Sequence, residues 1–395
     1  MGYAWVFTGV AAEASEFMSK QTMLAVLLIG LAGGAGAADF RPETMGVATL
    51  DRAPGPNWVW ANDFTFGFMA DGRTYLLDVG TGEFLGMLST GSMFLKLDIP
   101  ADRKLVYNAA TYYERVVRGK RTDVINIFDP QTLDFVGEIP IPAKRLTSIP
   151  TLINSGITND QRFLLVYNMT PAQSVSVIDL AERRFVGEVI TPGCGMTLPG
   201  ERRFRMLCAD GSLLSVELDA AGKEARRARS PRFFDPQRDP LTEKPVRIGD
   251  DWWFVSFEGM VQPMDLAGEL PRLPPSWSLL SDADRADGWR IGGIELLGVH
   301  AKTRRLYALM HQGGPDTHKD PGSEVWVYDL GTRQRLQRIA LRDPATSILI
   351  TQADEPLLVA VLIGVPNVEV YSATTGQHQR TIGEIGHTVA LLQNY

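Results

Sequence analysis

The chain has 395 residues, of which 45% are hydrophobic and 22% are charged, and its formal net charge is −7. This composition excludes wholesale disorder, collagen and coiled coils, and the negative charge argues against a nucleic-acid binder, which needs a basic face. With only 2 cysteines, the chain cannot build a four-thiolate zinc or iron–sulfur site.

An apolar segment near the N-terminus predicts export. Residues 23–37 read MLAVLLIGLAGGAGA and follow Lys20. The strongly apolar part is far shorter than the roughly twenty residues of a membrane-spanning helix. A positive charge, a short apolar core and small residues up to Ala37 are typical of a secretory signal peptide. We therefore expect cleavage after Ala37, and the alternative is a buried N-terminal helix.

The expected products of this cleavage are a signal peptide at 1–37 and a mature domain at 38–395. Glu13 and Glu16 do not suit the start of a signal peptide, so Met18 is a candidate for the true first residue. Export would place the mature domain in an oxidising compartment, with no membrane attachment after cleavage.

A pattern of strand, aspartate, turn and strand repeats along the mature chain. Successive turn residues are 40 to 64 positions apart, close to the size of a four-stranded antiparallel blade. An aspartate side chain can accept a hydrogen bond from the backbone two residues on, so we interpret these residues as turn formers and not as catalytic carboxylates. The turn residues are Asp78, Asp129, Asp179, Asp219, Asp265, Asp329 and, in the last copy, Ser372.

Seven such units predict an all-β fold, a seven-bladed β-propeller of four-stranded antiparallel blades. The copies at Asp219 and Asp265 are degenerate, so six or eight blades stay open as alternatives. We also expect the segment from Ala38 to about Leu50 to add a strand to the last blade and so close the ring.

A basic run stands out between the first two clear repeats of this acidic protein. It consists of Arg115, Arg118, Lys120 and Arg121. Such a cluster can form a docking surface for an acidic partner, and the alternative is a solvated hairpin.

The two cysteines, Cys194 and Cys208, can pair in an oxidising compartment. The alternative is two buried free thiols. The adjacent tryptophans Trp252 and Trp253 fall on a predicted strand, where neighbours face opposite sides, so we expect one of them to be core.

Two insertions depart from the repeat. The first, 271–293, contains a predicted short helix at 281–286 with Ser281 as its N-cap. The second, 311–322, is a polar loop that holds His311 and His318 together with two aspartates. A metal site can be imagined there, but solvated loop residues are the favoured interpretation. Both insertions are candidate partner surfaces, because loops carry function more often than strands do.

The residues alone indicate no self-sufficient active site, since the zinc-protease, serine-hydrolase and Walker motifs are all missing. They predict an exported propeller that serves as a scaffold. A stand-alone binding propeller without redox chemistry and a metal-dependent propeller hydrolase are the alternatives to the function below.

Residues 111–125, TYYERVVRGKRTDVI, closely resemble the large subunit of the quinoprotein amine dehydrogenases, the family of methylamine and aromatic amine dehydrogenase. The likeness runs in order through most of the mature chain, and 111–125 and 274–329 look closer to the aromatic-amine branch. Further matching stretches are Ile139–Arg145, Gly193–Cys194, Cys208–Ser212, Trp277–Leu280, Gly292–Gly293, Leu297–His300, Thr317–Lys319 and Glu324–Asp329.

The resemblance implies a periplasmic assembly of two large and two small subunits. It implies that the small subunit carries tryptophan tryptophylquinone and the catalytic base, that a primary amine leaves as an aldehyde and ammonia, and that electrons pass to a blue copper protein. This chain would bind no cofactor itself and would hold no catalytic residue.

The resemblance also implies that a large-subunit phenylalanine lines the substrate channel. The matching stretch is 89–95, where Met93 and Phe94 are both candidates. Family members carry an aromatic residue after the first cysteine, but Gly195 stands there in this chain. The resemblance leaves open which amine is the substrate.

Overall fold

The computed structural model describes residues 49–50, 53–65, 70–92, 96–145 and 150–395. Almost all regular structure in these ranges is β-strand, and the strands form seven antiparallel sheets. The predicted seven-bladed β-propeller is therefore confirmed, and the alternatives of six or eight blades are wrong. The signal segment 1–37, including Met18, lies outside the described residues. Among those residues, no helix is long and apolar enough to cross a membrane.

One short helix interrupts the strands of the described ranges, in the predicted insertion between the fifth and sixth blades. In chain order the elements are β1 (Trp58–Asp63), β2 (Gly72–Asp78), β3 (Glu83–Gly91), β4 (Val106–Arg115), β5 (Arg118–Phe128), β6 (Phe135–Ile141), β7 (Ser155–Ile157), β8 (Phe163–Asn168), β9 (Ser174–Asp179), β10 (Arg184–Ile190), β11 (Cys194–Gly200), β12 (Arg203–Cys208), β13 (Leu213–Leu218), β14 (Glu224–Arg229), β15 (Val246–Ile248), β16 (Asp251–Val255), β17 (Met260–Asp265), β18 (Trp277–Ser278), α1 (Asp282–Ala286), β19 (Trp289–Ile291), β20 (Leu297–His300), β21 (Arg305–Gln312), β22 (Gly322–Asp329), β23 (Arg335–Ala345), β24 (Ser347–Ile350), β25 (Leu357–Val361), β26 (Val368–Ser372), β27 (His378–Ile382) and β28 (Val389–Asn394).

Within a blade, the chain passes from the innermost strand to the outermost, as in β7 to β10 and β24 to β27. Two blades depart from four continuous strands. In the sheet β4–β5–β6, the innermost position is reduced to Asp98, whose N–H and carbonyl exchange hydrogen bonds of 2.7 and 3.0 Å with Tyr107. In the sixth blade, β19 and β20 both pair with β21.

The ring is closed by the C-terminal strand. β28 pairs with β1, so the first blade has the strand order β28–β1–β2–β3. Our expectation that the segment ahead of Leu50 closes the ring is wrong, because β28 holds the innermost position of this blade. Residues 38–48 lie outside the described residues.

The hydrophobic core lies between blades and not on one side of a single sheet. Both faces of a blade are covered by its neighbours, so adjacent residues of a strand can both be buried. Trp252 and Trp253 show this clearly, at 4% and 5% exposure. Trp252 packs in one cluster with Phe254, while Trp253 packs in another with Trp277. The expectation that only one of these tryptophans is core is therefore wrong.

Candidate interface and substrate-channel site

The connections between strands alternate between two faces of the ring, because neighbouring strands run antiparallel. We define the lower face as the face that carries the turns between the third and fourth strands of each blade. The repeated turn residues lie in these turns. The upper face carries the second turns of the blades and the connections between blades. Ser92, the hairpin tip at 115–118, Cys194, α1 and residues 313–321 all belong to the upper face.

The repeated aspartates of the lower face form turns, as predicted. Asp129 Oδ1 accepts hydrogen bonds from the N–H groups of Gln131 and Thr132 at 2.8 and 3.1 Å. Ser372, the exception in the series, accepts from Thr375 N–H through its hydroxyl at 3.1 Å. The same side-chain-to-backbone contact is made by Asp78, Asp179, Asp219, Asp265 and Asp329.

The basic hairpin on the upper face has an apolar tip. Val116 and Val117 are 71% and 63% exposed. Arg115, Arg118 and Lys120 flank this tip, and all three are exposed and form no ion pair with the described residues. An apolar tip beside unpaired cations is a surface that suits an acidic, partly apolar partner.

Arg121 belongs to the predicted basic run, but its side chain binds a buried carboxylate of the fold. Its Nε and Nη2 donate to the two carboxylate oxygens of Asp123 at 2.8 and 2.7 Å. Asp123 is fully buried, and this bond raises the pKa of Arg121. A bidentate pair of this kind fixes the guanidinium in place, so Arg121 is far less available for docking than the three exposed cations.

Arg145 is a buried cation that sequence reasoning did not single out. Its Nη2 donates to the Thr111 hydroxyl at 2.9 Å and to the Ser92 carbonyl at 3.2 Å, and its own N–H donates to Asp123 Oδ2 at 2.9 Å. Burial lowers the pKa of Arg145 to about 10, so the side chain remains charged at neutral pH. The only sequence signal was its place in the family-like stretch that ends at position 145.

The predicted channel residues Met93 and Phe94 lie outside the described residues, but their neighbours on both sides are described. Ser92 pairs with Thr111 and accepts from Arg145 through its carbonyl. On the other side, the buried Lys96 forms an ion pair with Asp98. Both ends of this connection are therefore held by buried polar contacts.

The two cysteines form a disulfide, Cys194–Cys208, between directly opposite residues of β11 and β12. The disulfide prediction is confirmed, and the alternative of free thiols is wrong. At Gly195, a Cβ atom would lie 3.4 Å from the hydroxyl of Tyr167. The aromatic ring of Tyr167, from the neighbouring blade, therefore lies against the backbone at Gly195.

The two insertions are ordered against the blades. Ser281 caps α1 as predicted, and Asp284 completes the capping box. In the loop 311–322, His311 is buried with its Nε2 2.8 Å from the Thr317 hydroxyl, and His318 stacks on Phe257 at 3.7 Å. The interpretation as a solvated residue is therefore wrong for His311, whereas His318 is half-buried. Among the described residues, no three potential metal ligands lie close enough together to hold a metal ion.

The axis of the ring holds a cavity of about 600 Å³. Its wall is built mostly from the innermost strands of the blades, with aliphatic side chains such as Ile157 and Leu297. The ionisable residues that reach it among the described residues are Lys96, Asp98, Arg247 and Glu295.

Comparison with known proteins connects these features to one family. The family model described as methylamine dehydrogenase heavy chain matches residues 57–394. The methylamine dehydrogenase heavy chain of Paracoccus versutus is 32% identical over 325 residues, which cover 81% of this chain and 75% of that protein. The methylamine dehydrogenase heavy chain of Methylorubrum extorquens is 28% identical, over 81% of this chain and 78% of that protein.

Solved structures support the fold alone. A protein of unknown function from Desulfotomaculum acetoxidans superposes with a TM-score of 0.58 at 13% identity, over 85% of this chain and 98% of that chain.

Proposed function

This chain belongs to the methylamine dehydrogenase heavy chain family, and we propose that it is the noncatalytic large subunit of a periplasmic amine dehydrogenase. In this proposal, it assembles with a small subunit, two copies of each. The small subunit carries tryptophan tryptophylquinone, which supplies the oxidation of a primary amine to an aldehyde and ammonia. Electrons then leave to a blue copper protein.

The observation that carries the proposal is the extent of the family match. It runs from 57 to 394, which includes every strand from β1 to the ring-closing β28. A match to the whole ring favours the function of a heavy chain over that of an unrelated propeller that shares only the architecture.

The tryptophans in the described part of the chain do not fit a quinone cofactor built on this subunit. The described ones are Trp58, Trp60, Trp252, Trp253, Trp277, Trp289 and Trp326, and each is at most 9% exposed. They pack in the cores between blades, as Trp289 does against Trp326 at 5.1 Å. A substrate-accessible quinone therefore belongs on the partner in this proposal, and no step of the reaction is assigned to these rings.

We assign the docking of the small subunit to the upper face. The exposed valines of the 115–118 tip offer apolar area, and Arg115, Arg118 and Lys120 offer unpaired positive charge in a protein that is negative overall. Charge of this kind steers an acidic partner and sets its orientation more than it adds affinity.

The substrate channel would be shaped by Met93 and Phe94, which follow Ser92 in the sequence. Arg145 supports this role, because it ties the Ser92 carbonyl to Thr111 and Asp123 from a buried position. A channel wall that is fixed by buried hydrogen bonds can discriminate between amines by shape. It can also exclude water, which favours proton abstraction in the neighbouring site.

The periplasmic location rests on the predicted signal peptide at 1–37 and is supported by the disulfide. Disulfides persist in exported proteins and are rare in the reducing cytosol. The cysteine pair, 194 and 208, is closed in this chain.

The test is co-expression with an amine dehydrogenase small subunit. We expect a stable complex that absorbs visible light through the quinone and is bleached by a primary amine. No complex and no quinone absorbance would contradict the proposal and favour a stand-alone binding propeller. Titration with methylamine and with aromatic amines would decide whether the predicted aromatic branch is correct.

The channel role has a separate test in the purified complex. We expect Phe94→Ala to change KM and the order of preference among short and aromatic amines more than it changes assembly. A parallel Met93→Ala variant shows which of the two residues faces the channel. Identical kcat/KM ratios for all amines in both variants would contradict the channel role.

A further inference from the structure

The cavity on the ring axis contains an unpaired cation. Of its four ionisable residues, Lys96 and Asp98 neutralise one another as a buried ion pair, and Asp98 also accepts from the Ser155 hydroxyl at 2.7 Å. The third, Glu295, is 7% exposed and accepts from Leu392 N–H at 2.7 Å. Burial raises the pKa of Glu295 well above its ordinary value, which disfavours a negative charge on this carboxyl group.

Arg247 is the fourth residue; it lies exposed in the middle of β15, at the cavity wall, and has no such partner. No carboxylate of the described residues lies within ion-pair distance of it, and it forms no hydrogen bond through its side chain with them. Its guanidinium carbon lies 5.3 Å from the centre of the Trp252 ring, which holds the group by a cation–π contact. Asp250 is the carboxylate whose charge raises the pKa of Arg247, and it accepts a hydrogen bond from the Asn159 amide at 2.8 Å. The cavity wall therefore carries a net positive charge at one place.

The rest of the wall is aliphatic. The side chains include Ile99, Ile157, Ile248, Leu297, Val299 and Ile350. The glutamine amides at the wall are already engaged; Gln393, for example, accepts from Leu97 N–H at 2.9 Å and donates to the Leu97 carbonyl at 2.9 Å. A volume of about 600 Å³ lies within the range of sites that take a small organic molecule.

We propose that the axial cavity binds a small organic carboxylate with an aliphatic body, whose carboxylate group pairs with Arg247. A guanidinium presents two parallel N–H donors that match a carboxylate, and the aliphatic wall removes the body of the ligand from water. A cationic ligand such as an ammonium ion would be repelled by Arg247. This site goes beyond the proposed function, because it needs neither the small subunit nor an amine.

The test uses the purified mature protein and calorimetric titration with hexanoate. We expect saturable binding of one hexanoate per chain, no binding of the neutral analogue hexanamide, and slower amide exchange in 246–248 and 297–299 when hexanoate is present. The Arg247→Met variant should bind hexanoate roughly tenfold to a hundredfold more weakly. The matched control is Arg304→Met, since Arg304 also lies over a tryptophan, Trp253 at 5.7 Å, but does not line the cavity.

Three results would overturn the proposal. They are equal binding of hexanoate by the Arg247→Met variant, equal binding of hexanamide and hexanoate by the wild-type protein, and binding of inorganic phosphate without binding of hexanoate. The comparison of hexanoate with hexanamide needs no variant, so it decides the matter even if Arg247→Met does not fold. None of these measurements depends on amine oxidation, so failure here and failure of the proposed function are distinguishable.

Discussion

Replacing Glu295 with glutamine is expected to stabilise the propeller more and more as the pH rises. The Glu295 carboxyl accepts a hydrogen bond from Leu392 N–H in β28, and its backbone carbonyl accepts from Ile348 N–H at 2.9 Å. Burial raises its pKa, so the folded state keeps a proton that the unfolded chain releases above about pH 4.3. A group of this kind contributes its full stability below that pH and loses it as the pH rises towards the folded-state pKa.

The magnitude follows from one proton. Where the folded state holds one more proton than the unfolded state, the free energy of unfolding falls by about 1.4 kcal/mol per pH unit. Glutamine has the same shape and can still accept from Leu392 N–H, but it does not titrate. The advantage of Glu295→Gln over the wild type should therefore grow by up to about 1.4 kcal/mol for each unit between pH 5 and 7.

Urea unfolding at pH 5, 6 and 7 and constant ionic strength measures this difference. The control is Glu355→Gln, because Glu355 is an exposed glutamate outside the core, and its curves should stay parallel to those of the wild type. Parallel pH dependence for Glu295→Gln and the wild type would show that the carboxyl is ionised in the folded protein, and it would refute the reasoning.

The remaining predictions concern the upper face. Charge reversal at Arg118 and Lys120 should weaken association with the small subunit, which size-exclusion chromatography at rising salt would detect. An unchanged elution profile would favour the alternative, a solvated hairpin without a docking role. Arg121→Gln should instead lower stability by about 3 kcal/mol, because it leaves the buried Asp123 carboxylate without its bidentate partner; loss of association at unchanged Tm would contradict this. Removing the disulfide by replacing both cysteines, 194 and 208, with alanine should lower the free energy of unfolding by about 3 kcal/mol, readable by calorimetry; an unchanged transition would contradict it.

The repeat was predictable because its signal is local. Each turn aspartate contacts backbone N–H groups two or three residues along the chain, as Asp329 does with Gly331 and Thr332 at 2.9 and 2.7 Å. Because each contact joins residues that are only two or three positions apart, every turn has the same short sequence pattern. Seven turns could therefore be counted without knowing which strands pair. The helix cap at Ser281 was predictable for the same reason.

The features that sequence reasoning missed depend on contacts between distant parts of the chain. Arg145 contacts Ser92 and Thr111, which lie 53 and 34 positions away. The role of Arg247 depends on a cavity to which all the innermost strands contribute. Ring closure was expected from the N-terminal segment and is made by the C-terminal strand β28, because an isolated strand pattern does not reveal which strand it will pair with.

The division of the ring into two faces explains how one fold can keep its shape while its binding surface changes. On the lower face, most turns between third and fourth strands are short and satisfied by one aspartate or serine each. The longest connection between described strands, 230–245, lies on the upper face, where it lengthens a link between blades without breaking a strand ladder. The exposed cations Arg115, Arg118 and Lys120 lie on this face too. A partner that docks there meets the face with the longest connection, while the buried cation Arg145 ties Ser92 on this face to Thr111 in β4.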